Sequence, residues 1–240
     1  MFVKAVLAVL ASILLTNTVW ADDAGGDWVN ITESSSTLWQ GKKESGHLTN
    51  VDGKKNTGYK YVYQVEDKQT KRYEYGQAVV LLDACKKGYG YVYYNDMQGT
   101  YTGKDAFVRF GSTVADELGS MACTSWDNDT GKVSRLDKGN GWELAAEAKQ
   151  SGEKYFLKTD TVHKRSYNGN PAIIALYSDN DVHSNSTTYS EYVIAASDCG
   201  RGFGTIYELD FDGALSDKFD VALNGDSVIS SIAGTLCGKL

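Results

Sequence analysis

The stretch that organises this chain is "CKKGYGYVYYND", Cys85 to Asp96, because its frame occurs again 114 residues later. The second occurrence, "CGRGFGTIYELD" from Cys199 to Asp210, keeps the cysteine, the two glycines, one tyrosine and the final aspartate. Alternation of aromatic residues with smaller ones is typical of a β-strand with two unlike faces. Two strands of one design suggest two copies of one domain.

The same offset relates the ends of the two copies. Trp28 is matched by Trp142 and Cys123 by Cys237, and 17 of the 96 residues from Trp28 to Cys123 are identical at this spacing. That is about three times what ordinary composition gives by chance. Residues 124–141 are rich in Asp, Asn, Gly and Ser with little apolar periodicity, which indicates a linker. The sequence therefore predicts a first domain over 22–123, a linker over 124–141 and a second domain over 142–240.

Residues 1–21 have the pattern of a secretory signal peptide. Lys4 precedes an apolar run from Ala5 to Leu15, and Val19-Trp20-Ala21 resembles a small-residue cleavage site. No later segment reaches the roughly 20 apolar residues that a transmembrane helix needs. We therefore expect an exported chain without a transmembrane segment, located in the periplasm, at the cell surface or secreted.

Charge excludes one class of partner. After removal of the predicted signal peptide, 23 basic residues face 31 acidic ones, a net charge of −8. Affinity for nucleic acids depends mainly on lysine and arginine neutralising phosphates. A general nucleic-acid partner is therefore not expected.

The sequence of each copy predicts several strands followed by a helix. Runs of β-formers predict strands near residues 59–65, 73–82 and 89–94, and near 173–177, 189–196 and 203–209. Asp and Gly at 96 and 99, and again at 210 and 213, predict hairpin turns. In "GDSVISSIAGTLC", residues 225–237, the apolar residues follow one helical face, with Asp226 or Ser227 as N-cap. The predicted fold class is α+β: two tandem small domains, each an antiparallel sheet packed by a C-terminal helix.

Four cysteines permit three pairings. The interval of 38 residues between cysteines occurs in both copies, which favours Cys85 with Cys123 and Cys199 with Cys237. A zinc site is the competing interpretation. It is disfavoured because there is no C-x-x-C and because none of the three histidines recurs at the 114-residue offset. No metal and no cofactor are predicted.

At this point the chain resembles the surface-adhesin protein E family of exported bacterial proteins. In the second copy the resemblance rests on Trp142, "YFLKTDTV" at 155–162, "SDC" at 197–199, "YELDFDG" at 207–213 and the "GDSVISSIAGTLC" helix. In the first copy only the tryptophan, the cysteines and the hairpin carry it. The resemblance implies a small sheet packed by a C-terminal helix, tied by a disulfide, on a protein that binds partners at the bacterial surface or in the periplasm. It implies no catalytic residues.

The one formal match to a catalytic motif is S-x-x-K in "SGEK", Ser151 to Lys154, and a match of four residues arises easily by chance. The sequence contains no G-x-S-x-G, no H-E-x-x-H and no phosphate-binding glycine loop. "ELDFDG", residues 208–213, resembles the start of a calcium loop, but Phe219 stands where the closing glutamate would be. We predict a non-catalytic, adhesin-like binding protein. The alternatives are a secreted hydrolase or hydrolase inhibitor with an unrecognised site, or a structural envelope protein.

The first copy differs from the second in charge and in aromatic content. It holds 12 basic and 11 acidic residues from Trp28 to Cys123, against 8 and 14 from Trp142 to Leu240. One interpretation is that its tyrosines are half-buried sheet residues and its lysines lie in solvated loops. The other is that tyrosines flanked by cations bind a host or envelope protein through an acidic surface, or an anionic glycan. The candidate binding residues are Tyr89, Tyr91, Tyr93, Lys86, Lys87, Lys71 and Arg72.

Overall fold

The computed structural model describes residues 26–51, 57–130 and 141–240. The predicted signal peptide and residues 131–140 of the predicted linker lie outside this part of the chain. Within it, no helix has both the length and the apolar character needed to cross a membrane.

The first copy forms one antiparallel sheet of seven strands with two helices. Across the sheet the order is β1-β2-β4-β5-β6-β7, and β3 pairs with β4. Helix α2 lies against one face of the sheet, and α1 joins β5 to β6. The elements are β1 (Trp28–Glu33), β2 (Thr37–Lys42), β3 (His47–Asn50), β4 (Thr57–Asp67), β5 (Tyr73–Leu81), α1 (Leu82–Lys87), β6 (Tyr89–Asn95), β7 (Tyr101–Val108) and α2 (Val114–Thr130).

The second copy repeats this topology. Its order is β8-β9-β11-β12-β13-β14, with β10 paired to β11. A single 3₁₀ turn, Thr159–Thr161, precedes β10. The elements are β8 (Trp142–Glu147), β9 (Lys154–Lys158), β10 (His163–Tyr167), β11 (Asn170–Asp181), β12 (Ser186–Ala195), α3 (Ala196–Arg201), β13 (Phe203–Leu209), β14 (Leu215–Ala222) and α4 (Val228–Cys237). The chain is thus β-rich, with two sheets of seven strands and few helices.

Each sheet buries one face under its long helix. In the first copy Tyr61, Val80 and Phe107 pack with Leu118 and Ala122 of α2 in one cluster. In the second copy the corresponding cluster contains Ile173, Ile194, Ile206, Ile232 and Leu236. The alternation seen in the sequence places these residues on one side of their strands, because successive side chains point to opposite faces. We refer to the face away from the helix as the back face.

Both predicted disulfides are present. Cys85 is bonded to Cys123 and Cys199 to Cys237, with Cα–Cα distances of 5.2 and 5.4 Å. Each bridge joins the short helix of its copy to the long helix that covers the sheet: α1 to α2 in the first copy and α3 to α4 in the second. On the chain-entropy estimate a loop of this length contributes roughly 4 kcal/mol.

The predicted turns and helix start are also confirmed. Asp96 and Asp210 accept backbone hydrogen bonds within their turns, and Gly99 and Gly213 adopt φ of +87° and +82°. Ser227 is the N-cap of α4, since its hydroxyl accepts a hydrogen bond from the Ser230 amide at 3.1 Å. Two short helices, α1 and α3, were not predicted. At six residues each they are too short to show a helical period.

The linker prediction needs a correction at its start. Residues 124–130 continue α2 instead of leaving the domain. Trp126 is buried in the core of the first copy. Arg109, with a side chain 4% exposed, pairs through Nη2 with Asp127 at 2.7 Å. The polar composition of this segment hid a helical face that carries one tryptophan and one buried ion pair.

The structure also corrects the alignment of the copies over β2 and β3. Trp28 faces Lys42, and its counterpart Trp142 faces Lys158, an offset of 116 in the second strand. His47 faces Lys60 in the first copy, and His163 faces Ile174 in the second. The 114-residue offset returns at β4 and β11. Two extra residues before β9 are therefore compensated by a shorter loop after β10, which a single offset could not reveal.

We expect Asp127→Ala to destabilise the protein by about 3–5 kcal/mol, because it leaves the buried Arg109 guanidinium without its counter-charge. Urea unfolding followed by circular dichroism measures the loss. Asp83→Ala, in the exposed pair with Lys86, is the control and should change stability little. Equal unfolding midpoints for the two variants would contradict the assignment of a stabilising role to the buried pair.

Candidate functional site

The tyrosine strand β6 faces the second copy. Tyr89 is 4% exposed, and its hydroxyl donates a hydrogen bond to Glu191 Oε1 at 2.7 Å. Burial, and then the Glu191 carboxylate, raise the pKa of Tyr89 well above its usual range. Lys87 lies over the Tyr89 ring, 4.2 Å from its centroid, and 3.6 Å from Glu191 Oε1. This arrangement keeps the carboxylate hydrogen-bonded and partly neutralised inside the contact.

The β13–β14 turn of the second copy packs on the same strand. The Phe211 ring lies 5.2 Å from the Tyr89 ring and 5.5 Å from the Tyr91 ring, between centroids. The Phe211 amide donates to the Tyr91 hydroxyl at 3.3 Å. Lys104 pairs with Asp212 and lies 3.7 Å from the Tyr91 ring centroid. The turn that resembled a calcium loop is thus an intramolecular docking element.

An apolar cluster completes the contact between the copies. Val108 and Leu176 are buried together with Tyr89, and Trp142, Tyr189 and Phe211 pack around them. Beside this cluster the Tyr189 hydroxyl donates to Asp116 Oδ2 at 2.8 Å. The back faces of the two sheets therefore meet along β6 and β7 on one side and β11 and β12 on the other.

The predicted binding residues separate into three groups. Tyr89, Tyr91 and Lys87 belong to the contact between the copies. Lys86 is exposed on α1 and pairs with Asp83. Lys71, which pairs with Glu66, and Arg72 lie at the other end of β5 from α1. Nine residues of strand separate these two ends by roughly 30 Å. The structure does not bring the predicted residues into one site.

Tyr93, the remaining candidate, lies in an open groove on the back face of the first sheet. Lys60, Val79, Tyr93 and Lys104 face one another in a row across β4, β5, β6 and β7. A cavity of about 530 Å³ opens above this row. Its further lining residues are Thr49, Asn50, Val51, Gln77, Asn95, Gly99 and Tyr101. We call this surface the back-face groove.

The same row in the second copy has a different chemistry. Ile174 stands in place of Lys60, and Leu209 in place of Asn95. Both are fully buried in a small cluster on which Tyr167 and Tyr207 pack. Of the row itself, Val193, Tyr207 and Lys218 match Val79, Tyr93 and Lys104. The polar groove is thus specific to the first copy, whereas its strand framework is common to both.

Sequence reasoning missed Lys60, Gln77, Asn95 and Tyr101. These residues come from four strands, and only the strand register places them side by side. The usable signal was their replacement in the second copy, at the 114-residue offset, by Ile174, Glu191, Leu209 and Leu215. Three of these four replacements, all except Gln77 by Glu191, put an apolar side chain in place of a polar one, and such a change on a shared framework marks a face whose environment differs.

The histidine comparison also needs a correction. His47 and His163 occupy equivalent positions at the start of β3 and β10, so a histidine does recur between the copies. In each, Nδ1 lies within hydrogen-bond distance of the carbonyl two residues earlier, at 2.9 and 2.8 Å. Both side chains are exposed. Among the described residues, no group of His, Cys, Asp and Glu is arranged to hold a metal ion.

Comparison with known proteins gives no match. No family model, no curated protein and no solved structure is found to correspond to this chain. The resemblance to the surface-adhesin protein E family therefore stays a prediction from short motifs.

We expect stability to fall at alkaline pH through the tyrosines. Burial raises the pKa of Tyr59 and of Tyr155 to about 12. The unfolded chain ionises these groups near pH 10, so their stabilising contribution is complete below that pH and is lost as pH rises through about 12. Urea unfolding between about pH 9 and pH 12 tests this. Tyr59→Phe should lower the slope of stability against pH, and an unchanged slope would contradict it.

We expect Phe211→Ala to loosen the two copies, because it removes the ring that packs on Tyr89 and Tyr91. The expected loss is about 2–4 kcal/mol, with faster hydrogen exchange in β6. Met97→Ala is the matched control, since Met97 holds the equivalent turn position in the first copy and is exposed. Protection of β6 that is equal in both variants would show that the turn does not hold the contact.

Proposed function

We propose that this chain is an exported, non-catalytic binding protein, and that its back-face groove binds an anionic glycan. The observation that carries the proposal is the row Lys60, Val79, Tyr93 and Lys104 across four neighbouring strands, which places a half-buried aromatic residue between two lysines on the wall of a cavity. The two lysines supply positive charge, and the tyrosine supplies a flat apolar surface for a sugar ring.

The other groove residues suit a ligand rich in hydroxyl groups. Gln77 and Asn95 face each other across β5 and β6, and each carries an amide that can both donate and accept hydrogen bonds. Thr49 and Tyr101 add hydroxyls at the rim. Binding of an acidic protein partner would also require the two lysines, but it would not require a concave cavity of this size. The cavity volume lies in the range of small-molecule sites.

Of the two lysines in the row, Lys60 has the ammonium group that is more available to an anionic ligand. Lys104 already pairs with Asp212 and lies on the Tyr91 ring, whereas no ion pair to Lys60 is formed within the described residues. Lys60 is half-buried beside Val79, so its charge is less screened than that of a fully exposed lysine. A carboxylate or sulfate that reaches Lys60 would gain a charge-assisted hydrogen bond.

The second copy has a structural part in this proposal. It covers Tyr89 and Tyr91 and leaves Tyr93, two residues further along the same face, open. Two disulfides are typical of proteins that fold in an oxidising compartment outside the cytoplasm. A binding role at the cell envelope, as the resemblance to the surface-adhesin family implies, agrees with both features.

The proposal is tested by retention of the full chain on immobilised heparin, with salt elution. The whole chain must be used, because separating the copies would expose Tyr89 and Tyr91 and create a new aromatic surface. Lys60→Gln and Tyr93→Ser should each weaken binding by about tenfold, since each removes a contact worth about 1–2 kcal/mol. Circular dichroism confirms that the variants fold.

Lys86→Gln is the matched control, because it removes the same charge from an exposed helix outside the groove. Equal loss of retention in Lys60→Gln and Lys86→Gln would mean that net charge alone drives binding and would overturn the groove. Binding of an acidic protein with no binding of heparin would point to the other class of partner and would also overturn the proposal.

A further inference from the structure

A second cavity, of about 330 Å³, lies where the turn after β7 of the first copy meets the back face of the second sheet. Its lining side chains are aromatic or carry a hydroxyl or an amide: Phe110, Trp142, Phe156, Tyr189, Ser112, Ser178, Asn180 and Thr187. Among the described residues, no charged side chain lines it. Phe110 is the most accessible of the aromatic residues, at 38% exposed, and Phe156 is half-buried. The cavity thus offers apolar surface and polar groups without charge.

The charged groups behind this wall are buried and already have partners. Asp116 is completely buried and accepts hydrogen bonds from two backbone amides and from the Tyr189 hydroxyl. Lys158, 5% exposed, pairs with Asp160 at 3.2 Å and lies 5.4 Å from the Trp142 ring centroid. An ion would enter this cavity at the cost of its hydration and would find no opposite charge on the wall. An uncharged ligand therefore suits the cavity better.

The first copy has a ladder of amides on the equivalent row of its sheet. Gln40 Nε2 donates to Asn30 Oδ1 at 2.8 Å, and Gln64 Nε2 donates to Gln40 Oε1 at 2.6 Å. In the second copy two apolar side chains and one hydroxyl replace the three amides, in the same register: Leu144, Phe156 and Ser178. An apolar surface left open to water, where the other copy has amides that satisfy one another, is typical of a binding site.

Phe110 has an unfavourable backbone conformation. Its φ is +64°, in the left-handed region that a bulky side chain rarely adopts. The second copy makes the same turn with Asn224 in this place: the amide after it bonds to the carbonyl two residues before it at 2.8 Å, against 3.0 Å in the first copy. The turn therefore does not require phenylalanine. Strain of this kind, on an exposed ring at the edge of a cavity, is typical of residues that hold a ligand.

We propose that this cavity binds an uncharged pyranose sugar. Phe110 and Phe156 supply apolar surface for the C–H groups of the sugar ring. Ser112, Asn180 and Thr187 supply hydrogen-bond donors and acceptors for its hydroxyls. The volume lies near the lower end of the range of small-molecule sites, which suits one sugar ring. This site is separate from the back-face groove and goes beyond the binding of an anionic glycan there.

Saturation-transfer NMR on the exported protein tests the proposal. The probes are the methyl β-glycosides of D-glucose, D-galactose and N-acetyl-D-glucosamine, with p-cresol as an aromatic ring that lacks sugar hydroxyls. We expect at least one glycoside to bind saturably at millimolar concentrations, and p-cresol to bind about tenfold more weakly. Absence of saturable binding by every glycoside would overturn the site. Binding of p-cresol as tight as that of the glycosides would overturn the sugar.

Phe110→Asn separates binding from stability. It removes the ring and introduces a residue type that adopts the left-handed conformation more easily. Glycoside affinity should therefore fall about tenfold or more, while the midpoint of urea unfolding stays equal or rises. A lower midpoint with unchanged affinity would show that Phe110 serves only the fold.

Phe203→Asn is the matched control. Phe203 is 58% exposed and lies outside the lining of the cavity. Arg201 lies 5.3 Å from its ring centroid, much as Arg109 lies 5.1 Å from that of Phe110. This variant should keep the glycoside affinity of the unmodified protein. Equal loss of affinity in the two variants would overturn the location.

Retention on heparin should not change in Phe110→Asn, because the back-face groove lies on the first sheet and most residues of this cavity lie on the second. Failure of heparin to bind would overturn the glycan proposal alone, and failure of the glycosides to bind would overturn this proposal alone. Weaker heparin retention in Phe110→Asn would contradict the existence of two separate sites.

Discussion

A sheet covered by one helix still has a second face to protect from water, and this constraint shapes the whole molecule. In the second copy the back face is apolar, since Ile174, Leu176, Val193 and Leu209 are fully buried there. Their burial cannot come from α4, which lies on the other side. It comes from the copy's own Tyr167 and Tyr207 and from Tyr89 and Val108 of the first copy. At about 25 cal/mol per Å² of apolar surface, this burial is a substantial reason for the two copies to associate.

The first copy meets the same constraint in a different way. Its back face carries Lys60, Gln77 and Asn95 where the second copy has Ile174, Glu191 and Leu209. Long polar side chains can keep their heads in water while their stems cover the sheet, so this face tolerates solvent. Only the edge formed by β6 and β7 is covered, and the rest stays available. The second copy thus covers part of the back face of the first copy, and the first copy keeps an accessible polar surface on the rest of that face.

The sequence predicted the features that depend on local chemistry. The disulfides follow from the 38-residue spacing, the hairpin turns from Asp96 and Asp210 with their glycines, and the α4 N-cap from Ser227. It did not predict what depends on pairing between distant strands. The tyrosine spacing in β6 left two interpretations open, half-buried sheet residues or a binding surface, and the strand divides between them, since Tyr89 is buried against Glu191 while Tyr93 lines an open groove. Period-two alternation gives the face of a strand and not what lies opposite that face.

The errors in aligning the copies have one physical source. A β-hairpin tolerates a change in loop length as long as the strand register is kept, so two residues gained before β9 and lost after β10 leave the sheet intact. A fixed sequence offset assumes equal loop lengths in the two copies, whereas the fold preserves the pairing register of the strands. The alignment by offset and the alignment by register therefore differ wherever a loop changes in length. His47 and His163 show this directly, because each contacts the carbonyl two residues earlier although their sequence offset is 116. Gly41 and Leu157 lie in the same shifted segment. Their difference is therefore a genuine change in the core, small in one copy and large in the other, and it coincides with the point where α2 continues past its disulfide and α4 ends. Gly41 leaves space in the sheet, and residues 124–130 of α2 extend over that space. The first copy therefore has a cavity at the place where Leu157 is packed in the second copy.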